Sequence, residues 1–290
     1  MGNNYSQFNG SLYNYNGNLV EDNILDNFKI TSNILGTGSS STIFEGSFFD
    51  NKIAVKRVNK SEEETVISEY HITRSLNHDK IVKTCGLFYD DKYYYLLLEY
   101  INGITLLDYL VDNYDKFTLI NKLKIINQLL NIIKYLHDSN IVHRDIKLEN
   151  IMLNENTFDV KLIDFNFATV TTNILLTKYC GSMLYAAPEI IDHLPYLGKP
   201  SDIWSLGVII YMLFKGKPLF GDDSKTHASL ICNKIPIDYT NLSVDCINFL
   251  NCMLKYEPDK RKNIDEIIIE FDIFDKLCLK DIISQTTTNQ

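Results

Sequence analysis

The sequence predicts an α+β chain in two unequal parts, a small β-rich part carrying one main helix and a larger, mostly helical part. Three observations predict it. Five short segments rich in β-branched and aromatic residues crowd into the first hundred residues, one helical stretch interrupts them, and from Leu106 onward apolar residues recur at helical spacing. With 290 residues, 45% of them hydrophobic, the chain can bury one large core or two lobes sharing a cleft.

In chain order, residues 1–27 are mostly Asn, Tyr, Gly and Ser with no Lys or Arg, and are expected to form a flexible, low-complexity arm. The arm opens Met1-Gly2-Asn3-Asn4-Tyr5-Ser6, which fits the pattern for N-myristoylation of Gly2; the bland alternative is a tail that begins with Gly by accident. One myristoyl chain would give only weak, reversible membrane association. No apolar run approaches the roughly 18–20 residues of a spanning helix, so a soluble, cytoplasmic protein is expected, peripheral to a membrane at most. Residues 30–36, 42–48, 52–58, 81–87 and 93–99 read as strands and 62–76 as the helix between them. Leu119, Leu123, Ile126, Leu130 and Ile133 then set a helix buried on most sides. A net charge of -9 offers no basic field for nucleic acid. The six cysteines form no Cys-x-x-Cys pair, which suits a reducing compartment and neither zinc nor disulfides.

Four stretches carry chemistry. Gly36-Thr37-Gly38-Ser39 lies between two predicted strands, where residues without a Cβ let backbone N–H groups approach a phosphate chain; a plain hairpin turn is the alternative. Ala54-Val55-Lys56 ends a buried-strand pattern on a single cation that could reach the same phosphates. Ile141-Val142-His143-Arg144-Asp145-Ile146-Lys147-Leu148-Glu149-Asn150 packs charges between apolar residues, a costly arrangement for structure alone. An Asp to accept a hydroxyl proton, a Lys to neutralise a moving phosphoryl group and an Asn to hold a divalent ion are the parts that phosphoryl transfer needs. Asp164-Phe165-Asn166 follows an apolar strand, and Asp164 with Asn150 makes an oxygen-only site suited to Mg²⁺.

These motifs, in this order and with Ala187-Pro188-Glu189 after them, resemble the eukaryotic protein kinase family over residues 28–274. The resemblance implies a two-lobed fold, with an N-lobe of about 28–98, a hinge at 99–103, a C-lobe of 104–274 and a tail at 275–290. It implies ATP and Mg²⁺ as cofactors and protein Ser/Thr hydroxyls as acceptors. Asp145 is then the catalytic base, assisted by Lys147, while Lys56 is paired with Glu69, and Asn150 and Asp164 hold the metal. The nucleotide would lie against Gly36, Thr37, Gly38 and Ser39, with Ile43, Ala54 and Met152 around adenine, Leu98 as gatekeeper, and Glu99 and Ile101 in the hinge. Asp202 to Gly207 looks like the family's central C-lobe helix, and Arg261 like the buried partner of Glu189. Lys147 and Cys180-Gly181-Ser182 point to the Ser/Thr branch, with a loose similarity to the calcium/calmodulin-dependent and AMP-activated group. A pseudokinase scaffold is the rival reading.

Regulation is expected at Arg144, Thr177, Ser182 and Gly2. Four departures from the family pattern stand out. Ser41 replaces the third loop glycine; Asn166 replaces the glycine after Asp164-Phe165 and should keep its left-handed backbone freedom; Lys178 replaces a common phosphorylatable Thr. Thr73 and Thr84 replace apolar residues that link the helix to Phe165, so a looser, more mobile helix is expected.

Overall fold

Alternation of apolar and polar residues through the first third builds a five-stranded antiparallel sheet in the order β1-β2-β3-β5-β4. Its strands are β1 (Phe28–Thr37), β2 (Ser41–Phe48), β3 (Asn51–Asn59), β4 (Thr84–Tyr89) and β5 (Tyr93–Glu99), and α1 (Glu63–Ser75) lies between β3 and β4 in the chain. The computed structural model describes residues 27–288 apart from 39, 173 and 222, with side chains as far as Lys280. Gly2, nearly all of the low-complexity arm, and Ser39 of the glycine loop lie outside the described residues.

The chain divides into two units between Asn102 and Gly103. In the first, Ile53 and Val55 of β3 face a core shared with Phe28, Phe88, Tyr95 and Leu97, where the rings of Phe28 and Phe88 stack at 5.0 Å. The period of two sends Ala54 and Lys56 to the opposite face, where their cross-strand neighbours are Leu98 and Ile43. That face carries α1. The strand expected at 81–87 begins later, at Thr84, with Ile81 and Val82 buried in the approach to it.

The second unit is mostly helical. Thr105 caps α2 (Leu106–Asn113) by accepting from the Asp108 N–H at 3.0 Å, and Thr118 caps α3 (Leu119–Asp138) from the Asn121 N–H. Leu123, Ile126, Leu130 and Ile133 of α3 are all buried, as their spacing requires. The remaining helices are α4 (Pro188–Ile191), α5 (Gly198–Lys215), α6 (Ser224–Cys232), α7 (Val244–Leu250) and α8 (Ile264–Thr288), and α8 packs on α3 and α7. Residues 275–288, expected as a tail, continue α8, because Ile267, Phe271 and Phe274 carry a helical stripe up to that point.

Two small ladders frame the chemistry. One is β6 (Ile104–Thr105), β8 (Ile151–Leu153) and β9 (Val160–Leu162); the other pairs β7 (Ile141–Val142) with β10 (Thr169–Val170). Residues 143–150 therefore span the gap from β7 to β8, and Asp164 lies between β9 and β10. Among the described residues no helix is long and apolar enough to cross a membrane, and none of the six cysteines is in a disulfide.

Candidate active site

In the first unit, Lys56 of β3 donates to both carboxylate oxygens of Glu69 in α1, at 2.8 and 2.7 Å, with the two residues only 5% and 2% exposed. A pair this deeply buried is held at a desolvation cost that its close geometry must offset. Ile43 of β2 and Leu96 of β5 stand opposite Lys56, and Leu98 stands opposite Ala54 on the same face. At the end of β5, the Glu99 carboxylate accepts from the Lys83 N–H at 2.8 Å, and Ile101 follows, half-buried.

The glycine loop is not held open by packing. A Cβ built at Gly36 would meet nothing nearer than Ile43 at 4.0 Å, and one at Gly38 nothing nearer than the Ser41 hydroxyl at 3.4 Å. At Gly46 of β2, by contrast, a Cβ would strike the Lys29 carbonyl at 2.7 Å and Val55 at 2.8 Å. Gly46 is glycine for the fold, whereas nothing in the packing requires glycine at Gly36 or Gly38. The Gly38 N–H donates to the Ser41 carbonyl at 2.8 Å, so Ser41 closes the turn through its backbone.

In the second unit, Asp145 is buried and its carboxylate gathers three donors: the Ser182 N–H at 2.8 Å on Oδ1, and Lys147 Nζ at 2.8 Å and Asn150 Nδ2 at 3.0 Å on Oδ2. Lys147 also donates to the Ser182 hydroxyl at 2.8 Å. The Asn150 amide nitrogen is spent on the carbonyl and carboxylate of Asp145, so its oxygen is the atom that could ligate a metal. Asp164, at φ 61°, is the carboxylate that could join it. Among the described residues no group of three or more His, Cys, Asp and Glu could hold a metal, and two oxygen ligands fit an ion that keeps waters and substrate phosphates in its shell.

His143 is fully buried, with its ring edge-to-face on Phe165 at 4.7 Å. Its Nδ1 accepts from the Asp145 N–H, so Nε2 carries the proton toward the Ile163 carbonyl at 3.3 Å; burial pushes its pKa below the ordinary value and keeps it neutral. Sequence reasoning gave Asp202 no part in the site. From α5 it accepts from the His143 and Arg144 N–H groups, both at 2.9 Å, and sits 3.2 Å from His137 Nε2. An Asp within an apolar helix was the available signal.

Gly181, at φ 97°, brings the following segment onto this loop: a Cβ there would lie 2.4 Å from the Arg144 carbonyl. Ser182, expected among the regulatory residues, is thereby seated against Asp145 and Lys147. Arg144 donates from Nε to the Phe167 carbonyl at 2.6 Å and lies beside the Tyr196 hydroxyl, while Thr177 and Lys178 are exposed. Met152 of β8 is half-buried.

The protein kinase domain family matches residues 30–270. The chain belongs to the protein kinase family. It is 32% identical over 211 residues to "Protein kinase kin1" of Schizosaccharomyces pombe, covering 72% of this chain and 24% of that one. It is 35% identical over 248 residues to "Probable serine/threonine-protein kinase MARK-C" of Dictyostelium discoideum, 80% of this chain and 31% of that one. To "Calcium/calmodulin-dependent protein kinase type 1" of Caenorhabditis elegans it is 30% identical over 242 residues, 79% and 69% of the two chains. The chain spans a quarter to a third of the length of the first two of these relatives.

Within this kinase domain, Arg261 grips both oxygens of Glu189 at 2.7 and 2.6 Å and lies over the Trp204 ring. Two expectations need correction. The left-handed residue is Asp164, not Asn166, so Asn166 does not stand in for glycine's backbone freedom. Its amide oxygen is buried without a hydrogen-bond partner. The looseness expected of Thr73 and Thr84 gives way to a direct bond between their hydroxyls at 2.5 Å, because each position brings a polar group that the other can satisfy.

Proposed function

We propose that this domain transfers the γ-phosphoryl of ATP to serine and threonine hydroxyls of proteins, with Mg²⁺ as the metal. The observation that carries the reading is the buried Asp145 carboxylate, fixed by Ser182, Lys147 and Asn150 with a cation 2.8 Å away. Asp145 accepts the proton of the substrate hydroxyl as its oxygen bonds to the γ-phosphorus and the bond to ADP breaks. Lys147 neutralises charge on the group in transfer. Lys56, oriented by Glu69, binds the α- and β-phosphates, and the N–H groups of Gly36 to Ser39 bind along the chain. Ile43, Ala54, Leu98 and Met152 offer apolar surface to adenine, and Glu99 and Ile101 the hinge. Asn150 and Asp164 would hold Mg²⁺, which supplies charge neutralisation at the phosphates. Glu149 favours substrates with basic residues before the acceptor; Thr105, where a second acid is common, caps α2 instead.

The test is transfer of label from γ-labelled Mg-ATP to a basic protein, with phosphoserine and phosphothreonine in the hydrolysate and loss of label in EDTA. A folded wild-type protein that transfers nothing would leave the scaffold reading in place. Gly36→Ala and Gly38→Ala are expected to keep or slightly raise Tm, since neither Cβ meets the fold, while raising KM for ATP. Gly46→Ala should lower Tm and serves as the contrast.

Thr177 is the proposed activating phosphosite, its phosphate drawing Arg144 from the Phe167 carbonyl. Phosphatase treatment and Thr177→Ala should then each lower activity. Undiminished activity in both would mean that the neutral partners of Arg144 suffice to order the segment.

A further inference from the structure

We propose that Thr84 and Thr73 form a hydroxyl relay that positions Glu69 toward Lys56, which makes Thr84 of β4 a positioning residue for a carboxylate on α1. The Thr84 hydroxyl donates to Thr73 Oγ1 at 2.5 Å, and the Thr73 hydroxyl donates in turn to the Glu69 carbonyl at 2.7 Å. Thr73 is buried, so the two bonds form away from water and each polarises the other. The relay ends on the backbone of the residue whose carboxylate holds Lys56.

The position of these residues along α1 gives the relay its purpose. Glu63, Val66, Tyr70 and Thr73 recur at helical spacing on the sheet-facing stripe, with Glu69 beside them. That stripe is tied to the sheet by polar contacts at three levels: Tyr94 of β5 donates to Glu63 at 2.6 Å, Lys56 of β3 to Glu69, and Thr84 of β4 to Thr73. Val66, Tyr70 and Ile72 are the buried apolar residues of α1, a short stripe whose packing is less directional than a hydrogen bond. Directional bonds at both ends of the stripe fix the rotation that points Glu69 at Lys56. A hydroxyl bonded to the carbonyl four residues back is a slight liability within a helix, so its retention at Thr73 needs a return. The bond from β4 is that return.

The proposal rests on the reading of Lys56 as the phosphate-binding cation, and its test has an arm that does not. Thr84→Val keeps shape and removes the donor; Thr84→Ser restores it. Hydrogen exchange of the α1 amides in nucleotide-free protein is expected to quicken in Thr84→Val and return to wild type in Thr84→Ser. In phosphotransfer, Thr84→Val should lower kcat roughly three- to tenfold, the worth of one net hydrogen bond, with KM for the protein substrate unchanged. In a Glu69→Gln background the same change should have little further effect on kcat, since the group being positioned is gone. Unchanged α1 exchange in Thr84→Val, or Thr84→Ser behaving like Val, would overturn the relay. A wild type with protected α1 amides but no phosphotransfer would count against the kinase reading and leave the relay standing.

Discussion

Asp145→Asn lowers kcat by about 10²–10⁴-fold, the usual contribution of a general base, with KM for ATP nearly unchanged. The geometry sharpens this expectation. All three groups around the carboxylate are donors: the Ser182 N–H on one oxygen, Lys147 and the Asn150 amide on the other. An amide replaces one acceptor oxygen by an NH₂, which must then face a donor on one side or the other. The substitution therefore costs roughly 1–3 kcal/mol of stability beside the loss of the base. Steady-state kinetics and thermal melts separate the two effects. Wild-type turnover in a protein whose Tm has fallen would assign Asp145 a structural role only.

The sequence made some features legible because their chemistry is local. The strands around Lys56 follow from two-residue alternation, and α3 from the spacing of Leu123, Ile126, Leu130 and Ile133. The stretch 143–150 stands out because His143, Asp145, Lys147 and Asn150 are charged or polar groups set among apolar neighbours. Features that depend on distant partners were not legible. The Asp202 carboxylate takes the N–H groups of His143 and Arg144 from some sixty residues away in the chain, and nothing in its own segment names those partners. Thr73 and Thr84, read singly, are two polar residues at apolar positions; only the fold shows that they satisfy each other. Asn166 fails for another reason. Residue preference suggested a left-handed backbone there, but the turn places that conformation at Asp164, which shows that a preference names a tolerated geometry and not the residue that adopts it.

Lys56→Met abolishes measurable turnover and also lowers Tm, and the second effect has a specific source. The ammonium balances a carboxylate that is only 2% exposed, so its removal leaves the Glu69 charge in a site too dry to bear it. Breaking a buried pair from one side costs about 3–5 kcal/mol, roughly 10 °C in Tm for a domain of this size. Loss of activity in this variant alone therefore cannot separate a phosphate-binding role from simple destabilisation. The double variant Lys56→Met, Glu69→Gln removes both charges, and a neutral amide beside a thioether is far cheaper to bury. Its Tm is expected to recover most of the loss while turnover stays absent, because no cation remains to hold the phosphates. Recovery of both Tm and turnover in the double variant would show that Lys56 serves the fold and not the nucleotide.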